Sequence, residues 1–375
     1  MATRRSKDTA AEVPEIEVQP FPPIHLPIQP PFPPMEAKLA ATIPEGEEWL
    51  YEPKWDGFRG LAFRNGKQVV LQSKAGQPLA RYFPELVQQL LELPQDKFVL
   101  DGEIVIIDKG HLDFNSLLMR IHPAESRIRK LSQQTPTSFL CFDLLVDEAG
   151  KPLTDLPLAQ RRERLMEFFR KVPAELRIRP SPATRELKTA TRWLREPGAS
   201  GFDGVVAKLL GEPYHSGDRK AMQKIKRMRT ADCVVGGFRY ASKNAAQVGS
   251  LLLGLYDEEG KLNHVGFTSS FKAEERSPLL KKLQPLMKQK EDEPFGFSGG
   301  APGGPSRWST ERSTEWSPLS NHLVCEVQYD HFSGGRFRHG TKFLRWRPEK
   351  LPEQCTYEQV MPTGHGELDQ LLNAA

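Results

Sequence analysis

Cysteine is scarce in this chain: four thiols in 375 residues, at positions 141, 233, 325 and 355. No two of them stand in a C-x-x-C pair, which argues against a zinc ribbon, and four scattered thiols make no disulfide framework. A reducing compartment, the cytoplasm, is the expectation. Cys141, Cys233 and Cys325 sit inside apolar strand-like runs, where a buried thiol is expected. Long hydrophobic runs are missing as well: none approaches the ~18 residues needed to span a bilayer. Arg4, Arg5 and Lys7 give a basic start with no apolar stretch behind it, so a secretory signal is not expected. A membrane partner is therefore excluded at this level. The chain also lacks an overall charge of one sign, its formal net charge being +4, and it has no internal repeat.

What the net charge hides is in its distribution. Residues 219–229, RKAMQKIKRMR, hold six basic side chains and no acidic one, and residues 336–350, RFRHGTKFLRWRPEK, hold six against Glu349. In both segments the basic residues alternate with apolar ones, as on half-buried elements. Such clusters are the electrostatic footprint of phosphate binding.

The chain is long enough for two domains. Residues 19–34 contain eight prolines in sixteen positions, which forbids a helix and favours an extended tail or a strap. Short strands are expected between 48 and 72 around a loop carrying Lys54, since Pro53 and Gly57 interrupt regular structure. RYFPELVQQLLEL (81–93) has helical apolar spacing. FVLDGEIVII (98–107) and SFLCFDLLVD (138–147) read as largely buried strands. Helices are expected over 156–171 and 184–196, then a strand over 202–208. From about 230, short β runs, a helix-like stretch over 272–290, a Gly/Pro/Ser-rich loop over 294–310 and a strand over 322–332 suggest a small closed barrel of the OB-fold kind. The expected organisation is α+β: a tail over 1–28, a first domain over 29–228, a barrel domain over 229–361 and a frayed tail over 362–375.

Lys54, in Glu52-Pro53-Lys54-Trp55-Asp56-Gly57, is the candidate nucleophile. At an ordinary pKa of ~10.4, only about one lysine in a few thousand is neutral at pH 7. A nucleophilic lysine therefore needs positive neighbours, metal or desolvation to pull its pKa down. Asp56 can orient the amine, and Gly57 lets backbone approach a ligand. Alone, K-x-D-G is a weak signal, because any surface turn can carry it. Further runs fit the same chemistry. Asp101-Gly102-Glu103 and Asp203-Gly204-Val205-Val206-Ala207-Lys208 place carboxylates that can hold Mg²⁺ or a ribose hydroxyl, although each taken singly is an ordinary strand-end turn. Phe142 can stack on a purine or simply fill the core. Lys224 and Lys226 alternate, so a strand presents both ammonium groups to one triphosphate.

Taken together, these runs resemble the covalent nucleotidyltransferase superfamily of ATP-dependent DNA ligases, RNA ligases and mRNA capping enzymes, over about residues 29–361. The resemblance implies an ATP-grasp-like adenylation domain with antiparallel sheets and flanking helices, followed by an OB-fold domain. It makes Lys54 the residue that forms the AMP adduct and Arg59 a contact to the nucleotide or nick phosphate. Ser73-Lys74-Ala75-Gly76 stands for a motif usually Ser-Arg-Asn-Gly, so Lys74 keeps the charge on the 5′ phosphate without the guanidinium fork. Glu103 contacts ribose and helps the metal, Phe142 stacks on adenine, and Asp203, where many relatives have glutamate, is the second metal carboxylate. Lys224 and Lys226 bind phosphate, with Lys226 assisting the chemistry, and Glu52 lines the nucleotide site. Arg345, Arg347 and Lys350 in FLRWRPEK orient pyrophosphate, with Glu349 in place of the more usual aspartate. RTADCVVGGFRY and RFRHGTKFLRWRPEK look most like small bacterial ligases of the ligase C type and the ligase module of ligase D.

The resemblance implies ATP and Mg²⁺ (or Mn²⁺) as cofactors, nicked duplex DNA as partner, repair or primase-like polymerases as further partners, a monomer, and the bacterial nucleoid as location. Its reaction has three steps: adenylylation of Lys54, transfer of AMP to a 5′ phosphate, and attack by the 3′ hydroxyl. The OB domain swings between steps about a hinge at 226–230. Two rival readings stand beside it. One is an RNA ligase or capping guanylyltransferase, which labelling by GTP or sealing of RNA only would select. The other is a catalytically silent nucleic-acid-binding relative, which absence of an AMP adduct would select.

Overall fold

The computed structural model describes residues 21–195, 202–242, 244–289, 293–303, 315–361 and 368–373. Two sheets build the N-terminal lobe. The larger runs in the order Gln68–Ser73, Phe58–Asn65, Lys97–Asp108, Thr137–Val146, Ile178–Pro180, with His111–Leu112 paired to the outer end of Lys97–Asp108. The smaller runs Lys38–Ala40, Met222–Lys226, Gly204–Leu209, Trp49–Pro53. Thr137–Val146 is buried at every position, as a continuous apolar run must be when both sheet faces are covered. Its one charged residue, Asp143, is held by both forks of Arg161 at 2.9 and 3.0 Å. Arg161 lies fully buried on the helix Leu158–Phe169. The helix Pro84–Glu92 starts with proline in its first turn and buries Leu86 and Leu90, in line with the spacing of 81–93.

The C-terminal lobe has its own core, drawn from residues between Ala231 and Val360. Its sheet runs Leu262–Thr268, Asn244–Tyr256, Arg229–Ala241, Val324–Tyr329, Lys342–Trp346, with Ser317–Pro318 beside Arg229–Ala241. The closed barrel expected from sequence is not closed by strand pairing. The two outer strands are linked through the isolated bridge between Thr268 and Thr341, so the OB-fold sheet curls without completing its ladder. The helix expected over 272–290 is α-helical over Arg276–Leu283 and continues as a 3₁₀ turn over Gln284–Leu286, because Pro285 has no N–H to extend the ladder. In the Gly/Pro/Ser-rich loop, residues 304–310 lie outside the described residues. Phe297 inserts against the barrel, where a Cβ on Gly236 or Gly254 would stand 2.8 or 3.1 Å from its ring.

The proline-rich end is the strap that its sequence allowed, and the C-terminal end differs from the expected frayed tail. Residues 1–20 are outside the described residues, but Ile24, Leu26 and Ile28 are buried with Met35 against Leu61, Phe63 and Val70. The proline-rich segment is thus a strap whose apolar residues fill a groove on the larger sheet. At the other end, Leu368–Asn373 forms a helical turn and a half. Leu368 and Leu372 are buried with Trp49, Tyr51 and Trp193 of the N-terminal lobe. The chain therefore crosses from the C-terminal core back to the first lobe. Among the described residues, no helix is long and apolar enough to cross a membrane. All four cysteines are free and buried.

Removing Arg161 leaves the Asp143 carboxylate buried without its partner, a change that costs about 3–5 kcal/mol. Arg161→Leu is expected to lower the denaturant midpoint of the N-terminal lobe by the equivalent of that energy, measured by urea unfolding. A midpoint within error of wild type would show that the Arg161–Asp143 pair does not hold the fold.

Candidate active site

The site is set by a backbone exchange. The N–H of Lys54 donates to the carbonyl of Gly204, and the N–H of Asp203 donates to the carbonyl of Lys54, both at 2.9 Å. This continues the pairing of Trp49–Pro53 with Gly204–Leu209 one step beyond the strands. It brings two residues 149 positions apart side by side, with Lys54 Nζ 2.9 Å from Asp203 Oδ2. Gly204 has φ of +152°, and a Cβ there would lie 2.0 Å from the carbonyl oxygen of Ile225, so only glycine passes between these strands. Gly57 has a similar reason. Its Cβ would meet the Ile104 carbonyl at 2.3 Å and the Glu103 side chain at 2.9 Å. The close approach seen here is to the neighbouring strand.

Above Lys54 lies a cavity lined by Glu52, Arg59, Lys74, Glu103, Phe142 and Lys224 from the sequence-based set, and by Met35, Glu36 and Lys208 besides. Its cations fall into two kinds. Arg59 is held by both oxygens of the buried Asp101, Lys74 by Glu36 at 2.9 Å, and Lys208 by the buried Glu52 at 2.9 Å. Lys224 has no ion-pair partner among the described residues. Burial pulls its pKa down, and Lys74, Lys54, Lys226 and Arg219 pull the same way. An ammonium among other cations is a place that gains by binding a polyanion. Phe142 faces the cavity with Lys208 Nζ 4.4 Å and Arg59 Cζ 4.5 Å from its ring centroid, so both cations sit against its π surface.

The carboxylates also divide. Burial pushes Glu103 up to about 7, against the pull of Arg59 and Lys54. No hydrogen bond satisfies its side chain among the described residues. Asp203 is held below the usual carboxylate range despite its burial, by His331 and Lys54. Lys54 departs from the sequence-based expectation of a depressed pKa. Burial pulls it down, but Asp203, Glu103 and Asp56 outweigh burial and leave it above the ordinary lysine value. As folded here, Lys54 is an ammonium.

Three residues of the C-terminal lobe that the sequence reading did not single out reach this site. Arg338 donates to both oxygens of Asp56 at 2.6 and 2.8 Å and stands 3.8 Å from the Phe114 ring centroid. His331 bridges Asp203 at 2.8 Å and Asp56 at 3.2 Å. Asp330 takes Lys226 at 2.7 Å. Lys226 therefore does not join Lys224 at the cavity. Arg345, Arg347 and Lys350 are not brought to the site either. Arg345 pairs with Glu326, Arg347 with Asp232 and Glu349, and Lys350 with Asp232 at 3.7 Å, all within their own lobe. The metal set read from sequence, Glu103 and Asp203, changes too. Asp56, Asp203 and His331 are the group whose ligand atoms lie within 4.8 Å of one another among the described residues, and Glu103 is not a member. Of the missed residues, Arg338 lay in a basic run that was noticed only as charge. Asp330 and His331 had no local signal.

Residues 34–226 match the model of the ATP dependent DNA ligase domain, and residues 244–350 match the ATP dependent DNA ligase C terminal region. The chain is 44% identical to DNA ligase C of Mycobacterium tuberculosis over 347 residues, 90% of this chain and 96% of that protein. It is 42% identical to DNA ligase C2 of Mycolicibacterium smegmatis over 350 residues, covering 91% and 97%. A solved structure of a Lig E DNA ligase is 17% identical, covers 84% of this chain and 99% of its own, and has a TM-score of 0.52, a likeness of fold. Two contiguous domain matches and relatives aligned over nearly their whole length leave one conclusion: the chain belongs to the ATP-dependent DNA ligases.

Proposed function

We propose that this enzyme seals nicks between a 3′ hydroxyl and a 5′ phosphate in duplex DNA, with Lys54 carrying AMP. The carrying observation is the placement of Lys54 beside Asp203, below a cavity ringed by Arg59, Lys74, Lys208 and Lys224. A polyphosphate bound there meets cations preorganised by Asp101, Glu36 and Glu52, and such preorganisation lowers the cost of charge developing in the transition state. In the first step the Lys54 amine attacks the α-phosphorus of ATP, the N–P bond forms, and the bond to pyrophosphate breaks. The ammonium must first lose its proton; Asp203, held below the usual carboxylate range, orients the amine and is too weak a base to keep that proton, which leaves to solvent. AMP then passes to the 5′ phosphate at the nick. The 3′ hydroxyl attacks that phosphate, forming the phosphodiester and releasing AMP.

The donor set fits a hard divalent cation such as Mg²⁺ or Mn²⁺. Asp56 and Asp203 offer carboxylate oxygens beside a His331 ring nitrogen, and carboxylate oxygens suit such an ion. Bound there, the ion would neutralise phosphate charge. The C-terminal lobe contributes differently from the first reading. Arg338 and His331 cover Asp56 and Asp203, while Arg345, Arg347 and Lys350 face their own lobe. This arrangement fits steps on DNA better than the reaction with ATP. Arg227 and Met228, between the strands Met222–Lys226 and Arg229–Ala241, are the pivot of the swing that exchanges the two faces.

Incubation with α-labelled ATP is expected to label the wild-type chain through an acid-labile, alkali-stable bond, and Lys54→Ala is expected to carry no label. Label retained by Lys54→Ala would overturn the assignment. Parallel reactions with GTP and NAD⁺ test nucleotide choice, and ATP alone is expected to label. Because Glu103 is raised to about 7, half of its side chains are protonated near neutrality and the carboxylate fills as pH rises. The kcat/KM for adenylylation should therefore climb between about pH 6 and 8, and Glu103→Gln, fixed in the neutral form, should lose at least tenfold and lack that limb. A flat wild-type profile would remove Glu103 from the reaction. Nick binding should weaken steeply with salt, with a log–log slope set by the phosphates neutralised. A flat dependence in a filter or anisotropy titration would exclude DNA as the polyanion.

A further inference from the structure

The cavity wall opposite Lys208 is made by the strap, at Pro34, Met35 and Glu36, and the strap is not covalently near anything else in the site. What holds it there is a buried hydrogen-bond relay. The Tyr214 hydroxyl donates to Asp101 Oδ2 at 2.6 Å and accepts from the N–H of Met35 at 2.9 Å. Asp101, with no exposed surface, also takes both forks of Arg59. Arg59 in turn donates to the carbonyl of Met35 at 3.2 Å. Both backbone polar groups of Met35 are thus committed, one to Tyr214 and one to Arg59, and the two side chains meet on one carboxylate. Phe32 stacks on the Tyr214 ring at 6.1 Å between centroids and is not part of the cavity lining.

We propose that Tyr214 is a positioning residue for nucleotide binding: its hydroxyl ties the strap wall at Met35 to the Asp101–Arg59 pair and so fixes the distance between that wall and Arg59. The direction of the relay is determined by chemistry. Asp101 as a carboxylate has only lone pairs to offer, so the hydroxyl proton must point to it, and the hydroxyl lone pair is left for Met35. A phenylalanine at 214 keeps the ring and its stack but leaves the Met35 N–H and one lobe of Asp101 without their partner. Arg59 keeps its two bonds to Asp101, but the Met35 wall loses its tie to that pair and with it its fixed distance from Arg59. Tyr214 touches neither the nucleotide nor the reacting atoms, so its effect falls on binding rather than on the bond-making step.

This inference rests on the reading of the cavity as the ATP site, and its test separates the two. The measurement is the single-turnover rate of lysine adenylylation against ATP concentration, whose half-saturation and plateau are read as KM and kcat. Tyr214→Phe is expected to raise the KM for ATP about five- to tenfold with kcat changed less than twofold, since loss of an interaction made equally in ground and transition states appears in KM. Phe32→Leu, which removes the stack and keeps the hydroxyl, is expected to retain the wild-type KM. In an Arg59→Ala background, Tyr214→Phe should add little, because both act through one unit. An unchanged KM in a folded Tyr214→Phe chain, an equal rise in Phe32→Leu, or a fall in kcat matching the rise in KM would each overturn the proposal. If Tyr214→Phe does not fold, hydrogen exchange at the Met35 amide in the wild-type chain decides. Slow exchange, slower still with ATP, upholds the relay, and exchange at the rate of an exposed amide overturns it. Label on Lys54→Ala, by contrast, would sink the underlying reading whatever Tyr214 does.

Discussion

The contact on which the site depends is the pairing of Lys54 with Asp203, made by two backbone hydrogen bonds before it is made by charge. The strand carrying Glu52 and the strand following Gly204 lie in one sheet, and the ladder runs one residue past the strand end. That geometry delivers an ammonium and a carboxylate to the same point with little freedom. It also sets the chemical difficulty of the enzyme. The carboxylate that places the amine also keeps it protonated, with burial pulling the other way and losing. A lysine in this state is stored, not active. Releasing it requires that Asp203 be engaged by another cation, so that the amine can lose its proton.

The same economy of charge recurs around the cavity. Each cation that faces the nucleotide space, except Lys224, is held by an acid behind it: Arg59 by Asp101, Lys208 by Glu52, Lys74 by Glu36. Buried ion pairs add little to stability on balance, since desolvation offsets much of their attraction. Their use here is orientation. The pairs point guanidinium and ammonium groups at a space where phosphate has to be bound, and they stop those groups from collapsing onto the catalytic carboxylates. The C-terminal lobe follows the same rule with its faces exchanged. Arg338 is spent on Asp56, while Arg345, Arg347 and Lys350 are kept on Asp232, Glu326 and Glu349. Two sets of cations on one lobe cannot serve one site at once.

Much of this was legible from residues alone, for a physical reason. Nucleophile, carboxylates and phosphate-binding lysines fall in short runs, because a strand and its following turn present neighbouring side chains to one place. Hence Lys54, Glu103, Phe142 and Lys224 were readable and share a cavity. Residues whose role depends on which lobe faces which were not readable. His331 and Asp330 end an ordinary strand, and Tyr214 sits in a loop with no pattern. Lys226 alternates correctly with Lys224, yet the neighbouring lobe supplies Asp330 and takes it away. The C-terminal end misled for a related reason. Proline-rich and short apolar segments have no core of their own, so their burial depends entirely on grooves made by distant residues such as Phe63 and Trp193.

The sequence by itself determined which side chains are equipped for the chemistry, which groups carry charge, and that two lobes of different architecture follow one another, because those properties belong to residue types and short-range periodicity. Only the tertiary structure decided which charges meet. Lys54 with Asp203, Asp56 with Arg338, and Tyr214 with Asp101 are pairs separated by more than a hundred residues. Their partnership comes from sheet register, from the strap and from the placement of the second lobe, none of which local spacing encodes.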